Sequence, residues 1–273
     1  MQTIDPLRVR RSFDAQAHEY DRHAIVQKRV LDRFLNLLPV GLDASRILDI
    51  GSGTGALLKR LAGLYPGTSL IGADMAFGMG IAAREAIGEK PGITFVTADA
   101  EHLPFADSSF DVVVSTSTFQ WLESLAPSFI RIRQSLSPGG RFCFALFGSK
   151  TLFELRDSYR IALAELGKEG LDRTHSFKDV EYVGTALRLA GFEVEYLASE
   201  LEVEIHPDVP HLLRSIRRIG AGNAAPGSGR TLAERRIMLL MMEHYQNTFG
   251  GPEGIPATYE VIYGTGRTAS QPA

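Results

Sequence analysis

The chain has 273 residues, with 29 Lys and Arg against 32 Asp and Glu, for a formal charge of −3. Hydrophobic residues make up 44% and charged residues 22%, enough to bury a full core, which excludes intrinsic disorder, a collagen-like repeat and a disulfide scaffold. The near-neutral balance also lacks the whole-chain basic footprint of a dedicated nucleic-acid binder.

In chain order, the first segment is an arm from Asp5 to Leu38 in which Phe13, Ala17, Tyr20 and Ala24, then Val30, Leu31, Phe34 and Leu38, recur at helical spacing. No apolar run follows its basic residues, and no stretch approaches the roughly 20 apolar residues that cross a bilayer, so a cytoplasmic protein without membrane partners is expected. Strands are expected at Arg46 to Ile50, Ser69 to Ala73, Thr94 to Thr97, Asp111 to Ser115 and Arg141 to Leu146, with helices at Ala56 to Ala62, Met75 to Ala86 and Pro127 to Leu136 between them. The turn SPGG, Ser137 to Gly140, reads as a break before the fifth strand, which carries the single cysteine, Cys143, as a buried small hydrophobe. Helices at Thr151 to Leu166 and Tyr182 to Leu189 follow, then the strand FEVEYLASELEVEI and a last strand around Thr258 to Tyr263. Between those two strands, VPHLLRSIRRI and TLAERRIMLLMMEHYQNTF are helical and flank the loop GAGNAAPGSG. The alternation predicts an α/β fold, a doubly wound seven-stranded mostly parallel sheet with an N-terminal helical arm and an inserted helical cap. The divisions expected are 1–40 (arm), 41–205 (core), 206–250 (cap) and 251–273 (last strand and tail), with arm and cap both acting as lids.

The sharpest local feature is RILDIGSGTGALLKRLA, where a strand ends in Asp49 and a turn supplies Gly51, Ser52, Gly53 and Gly55 before a helix. Glycines permit a tight turn and close ligand approach, and a helix N-terminus presents free N–H groups, so a nucleotide cofactor is expected; a structural turn is the alternative. GSGTG departs from the dinucleotide fingerprint G-x-G-x-x-G, which weakens a pyrophosphate reading. Asp74 ends SLIGAD 23 residues after Gly51, placed to accept both hydroxyls of a ribose, with Met75 beside it, or else to cap the next helix. Asp99 ends the third strand, where it and Ala100 suit an adenine edge or local capping. The fourth strand ends in a crest of Ser117, Thr118, Phe119, Gln120 and Trp121, fitting either a cofactor contact or a crevice wall. No H-E-x-x-H or Cys/His cluster occurs, so no metal is expected; His18 and His23 read as arm packing, while His175 in THSF is a candidate for the crevice.

The set LDIGSGTG, GAD, ADAEHLPFADSSFDVVVS, FQW and LSPGG, over residues 47 to 147, resembles the class I methyltransferases that use S-adenosylmethionine. Beyond it, RRSFDAQAHEYDRHAIVQKRV, LFGSKTLFELRDSYR, THSF, LLRSIRRIGAGNA and TYEVIYG resemble the malonyl-acyl carrier protein O-methyltransferases of biotin synthesis, covering nearly the whole chain. The resemblance implies a Rossmann-like core and methylation of the free carboxyl of a malonyl thioester on acyl carrier protein; the sequence leaves malonyl-coenzyme A open as the carrier, and a monomer is expected. It further implies that Asp49 and the Gly51 to Gly55 loop hold the methionine end of S-adenosylmethionine, Asp74 the ribose, and Asp99 with Ala100 the adenine, while Tyr20 closes over the sulfonium. Arg156 and Arg214 are candidates to clamp the substrate carboxylate. Arg214, Arg217 and Arg218, with Arg230, Arg235 and Arg236, form a candidate docking patch for an acidic carrier, or a solvated face. Another small carboxylic acid or a quinone precursor as acceptor, and a non-catalytic cofactor-binding scaffold, are the competing readings.

Overall fold

A computed structural model describes residues 5–39, 44–172, 174–222 and 231–270. The N-terminal arm is three helices, α1 (Pro6–Gln16), a single turn α2 (Tyr20–His23) and α3 (Ile25–Leu37). The Asp5 carboxylate caps α1 by accepting from the N–H groups of Leu7 and Arg8, and Pro6 at the first position loses no hydrogen bond there. The core then runs β1 (Arg46–Ile50), α4 (Ala56–Leu64), β2 (Ser69–Asp74), α5 (Phe77–Ile87), β3 (Ile93–Thr97), β4 (Phe110–Thr116), α6 (Leu125–Ser135), β5 (Leu136–Phe147), α7 (Phe153–Glu165), α8 (Val180–Leu189) and β6 (Glu193–His206). Helices α9 (Val209–Arg218) and α10 (Leu232–Phe249) precede the last strand, β7 (Ile255–Arg267).

The strands form one seven-stranded sheet in the order β3-β2-β1-β4-β5-β7-β6. All pairings from β3 to β5 are parallel, and β7 runs antiparallel to both β5 and β6. This is the predicted doubly wound fold. Central strands such as β1 and β4 are apolar on both faces because helices cover both, and two large buried clusters lie on the two sides. Edge strand β6 instead alternates, and its Glu200 and Glu202 pair with Arg33 and Arg29 of α3.

Two local expectations are corrected. The SPGG turn does not interrupt the fifth strand: β5 already starts at Leu136, opposite Phe110, and the register to β4 shifts before Val112 meets Arg141. The turn residues are taken up as an irregularity in the ladder, with Gly139 supplying a positive φ of 75°. The second helix begins at Phe77 rather than Met75. Its start is held from outside, since the Gly78 N–H donates to Asp14 Oδ1 on α1 at 2.8 Å.

Because β6 is parallel to β1–β5, its C-terminal end lies on the same side of the sheet as theirs, and the α9/α10 insertion therefore leaves the sheet above the crevice. Asp208 caps α9 through the His211 N–H, and Thr231 with Glu234 forms a reciprocal capping box on α10. Most of the GAGNAAPGSG loop, and Arg230, lie outside the described residues.

Candidate active site

The order β2-β1-β4 places the chain reversal between β1 and β4, so the loops after these strands face each other across a crevice. The loop after β1 turns through positive φ at Gly51 (70°), Gly53 (51°) and Gly55 (78°). A Cβ on Gly51 would lie 1.9 Å from Thr118 Oγ1 of the facing loop, whereas one on Gly53 would meet no atom within 4 Å. Gly51 is thus required by close packing of the two loops, and Gly53 opens onto free space.

That space is a cleft at the strand ends, the place where open α/β sheets take their ligands. Gly51, Gly53, Asp74, Met75, Asp99 and Ala100 all line it, and so does Tyr20 from the arm. Asp74 is held by two backbone donors, Gly53 N–H to Oδ2 (2.9 Å) and Ala76 N–H to Oδ1 (2.8 Å). Burial pushes its carboxyl pKa up against these bonds. Asp99 Oδ1 accepts from Glu101 N–H at 2.9 Å, and its Oδ2 lies 3.6 Å from His102 Nδ1.

Asp49 lies deeper, 1% exposed at the end of β1, and neither carboxylate oxygen has a hydrogen-bond partner among the described residues. Burial, reinforced by the charge of Asp74, pushes its pKa up to about 8. A buried carboxyl with two unpaired oxygens is costly and calls for a cation or donors from a ligand.

A second chamber adjoins the first and shares Phe13, Tyr20, Ser117 and Trp121 with it. Its further walls include Gln120, Phe147, Leu152, Phe177, Ile216 from α9 and Tyr259 from β7, and no charged residue lines it among the described residues. Ser117 takes up a φ of 57°, uncommon for a residue with a side chain, as the chain turns out of β4. The floor loop after β5 is tied to β7, with Lys150 N–H donating to Glu260 Oε2 at 2.9 Å and Thr151 Oγ1 to the Glu260 carbonyl.

The arm is fastened over both chambers. Thr54 Oγ1, in the glycine loop, donates to Asp21 Oδ1 beside Tyr20 at 2.7 Å. Phe13 packs against Trp121 edge-on at 5.8 Å and against Tyr20 at 6.3 Å. Burial raises the Tyr20 phenol well above its ordinary pKa, so it stays neutral.

Several sequence candidates lie elsewhere. Phe119 does not face the cleft: it is fully buried in an aromatic cluster with Phe129, Phe142 and Phe144, which corrects its reading as a cofactor contact. Gly55 packs under the loop against Ile87 and Ala83, and the Ser52 hydroxyl is directed at Gly72 of β2; neither lines the cleft. Gln120 belongs to the second chamber, its Nε2 donating to the Ser117 carbonyl at 2.7 Å. His175 stands behind Trp121, with its Nε2 2.9 Å from the Gln120 carbonyl oxygen. Since a carbonyl only accepts, that nitrogen carries the proton. Burial lowers the imidazole pKa to about 4, so His175 is a neutral positioning group. Arg156 lies behind Phe177, its guanidinium carbon 5.8 Å from the ring centroid and its Nη2 donating to the Ser149 carbonyl. Arg214 is exposed on α9 and lines neither chamber, because the inner face of that helix is Leu212, Leu213 and Ile216; its reading as a carboxylate clamp is corrected. Arg217 and Arg218 are exposed on the same helix.

Sequence reading overlooked Pro6 and Val9, which join Phe13 on one face of α1 and line the cleft, and the Asp21–Thr54 tether. The spacing of 6, 9 and 13 was the available signal for the former; the tether had none.

Comparison with known proteins agrees with this geometry. Residues 48–144 match the family described as a methyltransferase domain. The chain is 51% identical over 265 residues to a malonyl-[acyl-carrier protein] O-methyltransferase of Geobacter sulfurreducens, covering 97% of this chain and 99% of that protein. The chain belongs to the malonyl-[acyl-carrier protein] O-methyltransferase family. A family member from Halorhodospira halophila is 36% identical over 96% of this chain and 88% of its own. A Saccharophagus degradans protein named biotin biosynthesis bifunctional protein BioHC is 33% identical over 93% of this chain and 45% of its own length. Among solved structures, the YcgJ protein of Bacillus subtilis superposes with a TM-score of 0.60 at 17% identity, over 89% of this chain and 99% of its own. A Haemonchus contortus phosphoethanolamine N-methyltransferase 2 in complex with S-adenosyl-L-methionine gives 0.56 at 20% identity, over 94% of this chain and 57% of its own. At such identities these two show the fold alone. Among the described residues, no helix is long and apolar enough to cross a membrane.

Proposed function

We propose that the protein transfers a methyl group from S-adenosylmethionine to the free carboxylate of a malonyl thioester on acyl carrier protein, giving the malonyl methyl ester used in biotin synthesis, and does so in the cytoplasm. The observation that carries this reading is the pair of chambers meeting at Phe13, Tyr20, Ser117 and Trp121, one rich in carboxylates and the other uncharged.

The first chamber fits the cofactor. The unpaired Asp49 carboxyl suits the ammonium of the methionine end, and the open face of Gly53 admits it closely. Asp74, with two of its roughly four acceptor sites engaged by backbone, has the rest for ribose hydroxyls. Asp99 and Ala100 lie where they suit an adenine edge. When bound, S-adenosylmethionine supplies an electrophilic methyl on a sulfonium.

The chain then needs no general base. Carboxyl groups ionise near pH 4, so a malonyl carboxylate arrives as a nucleophile. His175, with its pKa lowered to about 4 and its Nε2–H tied to backbone, is a weak base, and Tyr20 is a neutral phenol, so neither is called on as a base. What the residues provide is position and dryness: arm helices over both chambers exclude water, and the uncharged second chamber strips solvent from the attacking oxygen. Incubation with methyl-labelled cofactor and malonyl-acyl carrier protein tests the reading. Base-labile label on the malonyl group, absent with the acetyl carrier, is expected; no transfer to the malonyl carrier would overturn it.

A further inference from the structure

We propose that the indole N–H of Trp121 is the donor that receives one oxygen of the substrate carboxylate, and that it is a specificity determinant for malonyl over acetyl groups; the inference rests on the function proposed above. Trp121 ends the single helical turn after β4 and forms part of the wall shared by both chambers. Its Nε1 is buried and has no hydrogen-bond partner among the described residues. Buried indole donors ordinarily find an acceptor, and an orphaned one is destabilising. A donor kept unpaired at the junction of two ligand chambers is matched by an acceptor that arrives with a ligand.

The ring is also held rather than free to seek a partner. Phe13 meets it edge-on at 5.8 Å and His175 lies 5.2 Å away on a tilted plane. His175 is in turn fixed by the bond from its Nε2–H to the carbonyl of Gln120, the residue preceding the tryptophan.

Sign and strength of the unpaired groups suit the chemistry. Two other buried atoms near the second chamber lack partners, Gln120 Oε1 and Arg156 Nε. Gln120 Oε1 is an acceptor and repels a carboxylate, which leaves the indole as the unpaired donor in the wall itself. Arg156 lies behind Phe177, with Asp157, Asp172 and Glu154 as its charged neighbours, and lines neither chamber. A neutral N–H holds one carboxylate oxygen while the other keeps its lone pair for the methyl; a cation in direct contact would hold both and blunt the nucleophile. After transfer the neutral ester is a weaker acceptor, which favours release.

Trp121 is the sole tryptophan of the chain, so the ¹⁵N-labelled full-length protein gives one indole N–H resonance. With S-adenosylhomocysteine present to prevent turnover, malonyl-acyl carrier protein is expected to move that proton downfield, and acetyl-acyl carrier protein to leave it within its line width. Trp121→Phe keeps an aromatic wall without the donor and is expected to raise KM for the malonyl carrier about tenfold, the loss of one hydrogen bond to a charged group. An indole resonance that stays put, or moves equally with the acetyl carrier, in a protein that methylates the malonyl carrier would overturn this inference and leave the proposed function standing. Absence of methyl transfer by the native protein would overturn both.

Discussion

Replacing Asp49 by Asn separates the folding cost of the cofactor site from its binding role. The Asp49 carboxyl is moved from an ordinary 3.8 up to about 8, chiefly by burial without hydrogen-bond partners. The folded state then holds a proton that the unfolded chain releases. This contribution to stability is fully present below the unfolded value, falls as pH rises, and is lost once pH passes the folded value. The slope is about 1.4 kcal/mol per pH unit across that window, and the total is about 6 kcal/mol. An asparagine does not titrate, and the other carboxylates cancel in the difference between the two proteins. Urea unfolding of both proteins from pH 4 to 9 is therefore expected to give a difference in stability that shifts steadily in favour of the Asp49→Asn variant and levels off near pH 8. Cofactor affinity moves the other way: loss of a charge-assisted partner for an ammonium weakens binding by about 10- to 100-fold. In the native protein, binding near pH 7 is expected to release close to one proton, read by calorimetry in two buffers of different ionisation enthalpy. Parallel stability curves for the two proteins, or binding without proton release, would refute the reasoning.

Gly51→Ala is expected to abolish cofactor binding and cost several kcal/mol, since its Cβ would sit 1.9 Å from Thr118 Oγ1 at a φ of 70°. Gly53→Ala is expected to remain folded, with strain of about 1–2 kcal/mol at its positive φ, and to lose affinity by calorimetry because its Cβ enters the cleft. Thr54→Val breaks the bond to Asp21, so proteolysis within α1 and α2 is expected to accelerate and KM for the acyl carrier to rise, with stability lowered by only about 1 kcal/mol. The His175 pKa near 4 places its titration below the working range, so the pH–rate profile from 5 to 8 is expected to keep its shape in His175→Asn even as kcat falls. Exchanging Arg214, Arg217 and Arg218 for Ala is expected to raise KM for the carrier-bound substrate while leaving malonyl-coenzyme A kinetics unchanged, as these side chains are exposed and Arg214 lines neither chamber.

The sequence by itself determined the sheet and the first chamber. Strands buried on both faces read as continuous apolar runs, and the candidate ligand-facing residues lie within two positions of a strand end on either side, so Asp49, Gly51, Asp74 and Asp99 were placed by strand ends alone. The helical spacing of the arm and the insertion between β6 and β7 were legible for the same reason, because short-range periodicity encodes them. Side-chain direction within an irregular turn was not. Phe119, Gln120 and Trp121 are consecutive, yet one enters the aromatic core, one the second chamber and one the wall between chambers, since the turn begins with Ser117 at a positive φ and rotates each side chain differently. Nor did spacing reveal that Arg214 faces outward, that Asp21 meets Thr54, or that Asp14 caps α5, contacts between residues 33 and 64 positions apart. Those depend on where the arm and α9 settle on the finished core, which is fixed by packing among distant segments and leaves no local pattern in the chain.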